Sequence, residues 1–149
     1  MTLEEKQTMS TIGSFEELRC WKAARELVKL VIDASLEGRL SRDFEIRSQL
    51  IRAALSTMNN LAEGFGRSGI RDTIRFYDIA QSSSCEVKSM TYALEDSGYL
   101  PFEKIKVIRD KSEETKALTL GMIRYLRGLE KGRGENRRCQ SNIGNHKAP

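Results

Sequence analysis

The chain is short of the residues that most enzyme chemistry requires. Its one histidine is His146, close to the C-terminus. A di-iron carboxylate bundle needs Glu-x-x-His on two helices, so a single histidine excludes that function. The same shortage takes a Ser–His or Cys–His nucleophile pair out of the body of the chain. Three cysteines, Cys20, Cys85 and Cys139, stand far apart with no Cys-x-x-Cys. That pattern speaks for free thiols in a reducing compartment rather than a zinc site or a disulfide framework. No apolar run approaches the ~18–20 residues of a membrane span. The first residues, MTLEEKQTMSTIGS, lack the basic start and apolar stretch of a secretory signal. The expectation is a cytoplasmic, non-enzymatic protein with no catalytic, cofactor or metal site and no membrane contact.

Acidic charge is scarce in one place only. Residues 131–149 hold Lys131, Arg133, Arg137, Arg138 and Lys147 against Glu135, which accounts for the whole net charge of +4. Residues 1–130 therefore balance to zero. A basic average is thus no argument that the folded body binds nucleic acid.

Proline is also rare, with Pro101 and Pro149 alone, and no β-type alternation of useful length occurs. The apolar spacing is helical throughout. A first segment opens at Ser14, with Glu17 completing a capping box, and carries Phe15, Leu18, Trp21, Ala24, Val28 and Val31 to a stop near Gly38. Leu27 and Ile32 widen that stripe. A second opens at Ser41 or Asp43 with a stripe of Arg47, Ile51, Ala54, Met58, Leu61 and Phe65. A third runs from about Gly69 to Ser97 on Phe76, Ala80, Ser83, Val87, Met90 and Leu94. Pro101 starts a fourth, on Ile105, Ile108, Ser112, Thr115, Leu118, Met122, Tyr125 and Leu129. Four such helices with short turns predict an all-α, up-down-up-down antiparallel four-helix bundle over residues 14–130. Residues 1–13 are expected to be a flexible N-terminal segment, and 131–149 a disordered basic tail.

The stretch Asn59–Ala80, NNLAEGFGRSGIRDTIRFYDIA, places Gly64, Gly66 and Gly69 among arginines. A phosphate cradle would need a preceding strand or a Gly-Lys-Ser/Thr opening a helix. Here the glycines follow a helix, which makes them a stop and a turn into the next one.

Opposite the apolar stripe of the second helix, Gln49, Arg52, Ser56, Asn60, Glu63 and Arg67 form one continuous polar line. Arg75, Ser82, Glu86 and Ser89 form another on the third. Two explanations stand side by side: a plain solvated face, or a seam against another helix or subunit. Ile70, Ile74 and Tyr77 make a short apolar stripe away from the third helix's main face, which points to self-association. For nucleic acid the candidates are Lys104, Lys106, Lys111, Arg109 and Lys116 on the fourth helix, and Arg133, Arg137 and Arg138 in the tail. No zinc finger, helix-turn-helix or RNA-stacking motif accompanies them.

Phe15–Val28, Ser48–Arg67, Ile74–Val87 and Leu94–Leu100 together resemble the bacterial 23S rRNA intervening-sequence proteins. The most specific pieces are Asn60, Ala62–Arg67 (AEGFGR), Arg75-Phe76 and Glu86. The likeness covers most of residues 15–126. Where that family usually has Gly-Ser in the third helix, this chain has Ser82-Ser83. The resemblance implies a homopentameric ring of four-helix subunits. A similar fold serves as the accessory subunit of diversity-generating retroelements, which implies RNA or DNA, or a protein such as a reverse transcriptase, as partner. The expected function is a non-enzymatic oligomer that binds structured nucleic acid through Lys104, Lys106, Lys111, Arg133, Arg137 and Arg138. In that reading Ser56, Asn60, Glu63, Arg67, Ile70, Ile74, Arg75, Tyr77 and Glu86 hold inter-helix or inter-subunit geometry. The alternative is a protein–protein scaffold with no nucleic-acid contact.

Overall fold

The structure, a computed structural model, describes residues 12–144, with side chains as far as Gly132. A short 3-10 turn, Phe15–Glu17, precedes four helices. They are α1, Arg19–Ala34; α2, Phe44–Phe65; α3, Ile70–Asp96; and α4, Phe102–Gly144. A second 3-10 turn, Leu40–Arg42, lies between α1 and α2. No strand occurs among the described residues. Each helix packs on its neighbours in chain order, and α4 closes the ring on α1. This is the up-down-up-down bundle that the periodicity predicts.

Helix ends follow local chemistry. Asp43 caps α2, its carboxylate accepting from the Ile46 N–H at 3.1 Å. The cap predicted at Ser14 does not form. The Glu17 carboxylate accepts from the Gly13 N–H at 3.3 Å instead, and the extended backbone of Leu18 delays α1 to Arg19. α1 also stops at Ala34, before Gly38. Gly38 has a φ of +54°, and a Cβ there would sit 2.6 Å from the Tyr99 carbonyl oxygen, so only glycine fits this turn. α4 differs most from expectation, continuing past Glu130 to Gly144. No proline interrupts 131–144, and Gly132 and Gly134 cost only about 1 kcal/mol each in helix propensity. Most of the expected flexible segment 1–13 lies outside the described residues, as do residues 145–149.

The interior has two apolar clusters. Leu27, Val31, Leu40, Leu50, Val87, Leu94, Ile105 and Ile108 fill the end where both odd-to-even helix connections lie. Leu18, Cys20, Leu61, Tyr77, Ala80 and Ile123 fill the other. Met58 packs against both. Buried hydroxyls occupy the middle: Thr57, Ser84, Ser112, Thr115 and Thr119 are all essentially inaccessible. Ser84 Oγ donates across helices to the Ser112 carbonyl at 2.7 Å. Thr57, Thr115 and Thr119 return to carbonyls one turn back on their own helices. No buried side-chain polar atom among the described residues lacks a partner, so this belt escapes the cost of an unmade bond.

The predicted stripes need correction. On α2 the buried residues are Leu50, Ala53, Ala54, Thr57, Leu61 and Gly64. Arg47, Ile51, Met58 and Phe65 are only partly buried. The small residues turn inward because α3 lies close, which moves the larger ones to the flank. Ile74 and Tyr77 are not a second face of α3. Both belong to the core, where Tyr77 is 2% exposed. Ile70 is partly buried against the same cluster. On α4, Thr119 and Ile123 are buried where the spacing placed Leu118 and Met122.

The two connections at one end are joined through Tyr99. Its hydroxyl donates to the Asp43 carboxylate at 2.7 Å, and its carbonyl accepts from the Arg39 N–H at 3.2 Å. The Arg39 guanidinium lies 4.6 Å from the Tyr99 ring centroid and donates to the Ser97 carbonyl. The Tyr99 hydroxyl, followed by the Ile46 N–H, holds the Asp43 carboxyl below the usual aspartate range.

Gly64 marks the closest approach of α2 and α3. A Cβ on it would stand 2.8 Å from two Tyr77 ring carbons and 2.9 Å from Phe76 Cβ. Gly64→Ala is therefore expected to destabilise by ~1–3 kcal/mol through overpacking, despite alanine's better helix propensity. Urea unfolding checks this, and a variant more stable than the parent would mean that the two helices are not held at this distance.

Candidate functional site

The polar line of α2 faces α3. Ser56 Oγ and Ser83 Oγ are 2.8 Å apart across the two helices. Asn60 Nδ2 donates back to the Ser56 carbonyl at 2.8 Å and to Ser56 Oγ at 3.2 Å, which fixes that hydroxyl in place. One end of the line closes with Gln49 Nε2 donating to the Glu86 carboxylate at 3.3 Å. At the other end Glu63 pairs with Arg67, whose guanidinium lies 4.6 Å from the Phe76 ring centroid. Ser56, Asn60, Glu63, Arg67 and Glu86 thus come together along one α2–α3 seam within the chain. Tyr77 and Ile74 lie beneath it in the core.

Arg75 lies on the outward side of α3. There an open groove of about 640 Å³ is lined entirely by α3: Arg71, Ile74, Arg75, Asp78, Ile79, Ser82, Ser83 and Glu86. Its floor is low because Ser82 and Ser83 are short. α4 engages two of the charges, Arg71 through Glu130 and Asp78 through Arg127 at 3.9 Å. Arg75 has no carboxylate partner among the described residues, and Ile79 is 41% exposed beside it. The groove thus presents an unpaired cation, an apolar side chain and short hydroxyls.

A second groove, of about 620 Å³, runs between α1 and α2 over Trp21, Arg25, Val28, Lys29, Ile32, Asp33 and Met58. The apolar spacing places Trp21 in the first stripe and Ile32 beside it as core residues, which gives no sign of a groove there. Met58, expected in the core stripe of α2, is only partly buried and reaches the groove because α2 is rotated from its expected orientation.

The lysines expected to meet phosphate already face carboxylates. Lys104 pairs with Glu37 and Lys106 with Asp110, while Lys111 sits 2.6 Å from both Glu26 and Glu114. Arg109 is a structural tie: its Nε donates to Thr91 Oγ1 at 3.0 Å, it pairs with Glu95, and it lies 3.8 Å from the Tyr92 ring centroid. In the second half of α4 the balance changes. Lys116, Arg124 and Lys131 have no ion pair among the described residues. The side chains of Arg133, Arg137 and Arg138 lie outside the described residues, on the same helix.

Of the two cysteines among the described residues, Cys20 is buried and Cys85 is partly exposed. Burial pushes the Cys20 thiol up to about 12, so it stays protonated and unreactive. No group of His, Cys, Asp and Glu among the described residues is arranged to hold a metal ion. No helix among them is long and apolar enough to cross a membrane.

Fold and site together define an antiparallel four-helix bundle with a hydroxyl-lined interior and one polar inter-helix seam. The chain belongs to the 23S rRNA-intervening sequence protein family, whose family model matches residues 16–121. Among solved structures it is similar to a protein of unknown function from the S23 ribosomal protein family of Bacteroides thetaiotaomicron VPI-5482. That likeness has a TM-score of 0.66 at 19% identity and covers 70% of this chain and 95% of the other. At that identity it speaks for the fold. No curated protein matches the chain.

The Ser56–Ser83 contact gives the seam a measurable strength. A double-mutant cycle on Ser56→Ala and Ser83→Ala, read by urea unfolding, is expected to show a coupling of roughly 0.5–1.5 kcal/mol. Zero coupling would mean that the two hydroxyls are satisfied independently.

Proposed function

We propose that this protein is a non-catalytic homo-oligomer that binds structured RNA, with the second half of α4 supplying the phosphate contacts. The observation carrying this reading is the charge of that half-helix. Lys116, Arg124, Lys131, Arg133, Arg137 and Arg138 share that half with Glu130 and Glu135, Arg127 faces Asp78, and Glu130 is engaged by Arg71. That pair puts Glu130 beside the first turn of α3, so α4 continues beyond it for about 21 Å at 1.5 Å per residue. A projecting basic helix meets a phosphate backbone without the desolvation problem of a buried charge. Membership of a family named for 23S rRNA favours RNA over other polyanions. Lys104, Lys106 and Lys111 contribute less to this reading, because each lies beside a carboxylate that offsets its charge.

The outward groove of α3 is the proposed subunit contact, with the pentameric ring that the family resemblance implies as the expected assembly. Arg75, Ile79 and Ser82 offer charge, apolar surface and close approach at one place. A protein–protein scaffold is the second reading, favoured by the zero net charge of residues 1–130.

Binding of a structured RNA and a duplex DNA across a salt series, with the full chain and with a version ending at Glu130, tests the first reading. The full chain is expected to bind RNA with an affinity that falls with salt, and truncation should flatten the log–log slope by up to about 4. No binding by either version near physiological salt would leave the scaffold. For assembly, Ile79→Asp is expected to yield a smaller particle in sedimentation with helix content unchanged. An unaltered particle would move the contact off α3.

A further inference from the structure

The α1–α2 groove has an apolar floor and a mostly basic rim. Trp21, Ile32 and Met58 form the floor, with Ile32 42% exposed. Arg25 and Lys29 stand on the rim with Asp33 as the one acid. The exposed Lys29–Asp33 pair, at 2.5 Å, is of the kind worth little. Arg25 has no carboxylate partner among the described residues, and its guanidinium lies 5.8 Å from the Trp21 ring centroid. Such a groove fits a segment that carries apolar side chains and carboxylates close together.

The chain supplies one. Residues 1–11, MTLEEKQTMST, place Leu3 and Met9 either side of Glu4, Glu5 and Lys6, with the carboxylates in the majority, and they lie outside the described residues. They join the structure at Ile12, which packs on the same cluster as Trp21, and Phe15 contacts Trp21 edge-on at 5.0 Å. The tether is thus at the Trp21 end of the groove. From Trp21 to Asp33 the groove extends ~18 Å along α1, and eleven extended residues reach ~36–40 Å. We propose that residues 1–11 lie in the α1–α2 groove, with Leu3 and Met9 on the Trp21–Ile32–Met58 floor and Glu4 and Glu5 against Arg25 and Lys29. A linker this short holds the segment at a local concentration of order millimolar, so modest contacts suffice to keep it there.

Trp21 is the only tryptophan, so its fluorescence reports the groove directly. The full chain is compared with a version beginning at Ile12 and with Leu3→Asp/Met9→Asp, at several protein concentrations. Expected are a red-shifted emission and stronger acrylamide quenching in both variants. A synthetic peptide of residues 1–11, added at about 1 mM, should reverse both in the truncated chain. High salt should shift the full chain part of the way, because the rim contact is ionic. The double variant keeps the chain length and guards against a truncation that perturbs folding, which circular dichroism melting monitors. Identical spectra and quenching in all three proteins would overturn the proposal. So would protection in the full chain that vanishes on dilution, since a second copy would then be the cover.

Discussion

The distance between α2 and α3 is set by one contact, the Gly64 backbone against the Tyr77 ring. A side chain at Gly64 would occupy the space of two Tyr77 ring carbons. With the helices that close, only small residues fit along the shared face, and α2 turns Ala53, Thr57 and Gly64 toward it. The same closeness puts Ser56 and Ser83 within hydrogen-bonding distance and leaves Gln49 and Glu86 facing each other at the far end of the seam. Tyr77 is then sealed in the core, where burial raises its phenol well above the ordinary range. The glycines of Asn59–Ala80 are thus explained by packing and turning.

The interior shows how a bundle of modest apolar content holds together. Its two apolar clusters are separated by hydroxyls that bond to carbonyls on their own or the next helix. Serine and threonine are small enough for close packing, and each carries its own means of satisfying the polar atom it buries. The connections are secured separately, by Tyr99 on Asp43 and by Arg39 over Tyr99. Arg109 ties α3 to α4 near the same end. The lysines that would otherwise make this end basic are each opposed by a carboxylate, so the region is electrically quiet.

Charge is concentrated elsewhere. The family membership concerns the bundle, residues 16–121, whereas the excess of arginine and lysine lies mostly beyond it. A neutral bundle and a basic helical extension are two separable parts of the chain. That division makes an RNA-binding reading and a scaffold reading distinguishable by cutting the chain at a single place.

Much of the fold was legible in the sequence because helical periodicity survives in any packing arrangement. Four helical segments and Asp43 as a cap follow from local chemistry, and the family is carried by motifs around Asn60–Arg67 and Arg75-Phe76. The polar line of Gln49, Ser56, Asn60 and Glu63 was visible as a line, though not what it faced. Which side of each helix is innermost was decided only in three dimensions. Tyr77 and Ile74 read as an outer stripe until Gly64 opened the space that takes them inward. Lys104, Lys106 and Lys111 read as free cations until Glu37, Asp110, Glu26 and Glu114 were brought beside them. A sequence specifies which residues share a helix face through a fixed 3.6-residue turn. Rotation of that face and the partners opposite it depend on how closely two helices approach, and that distance is a property of both at once.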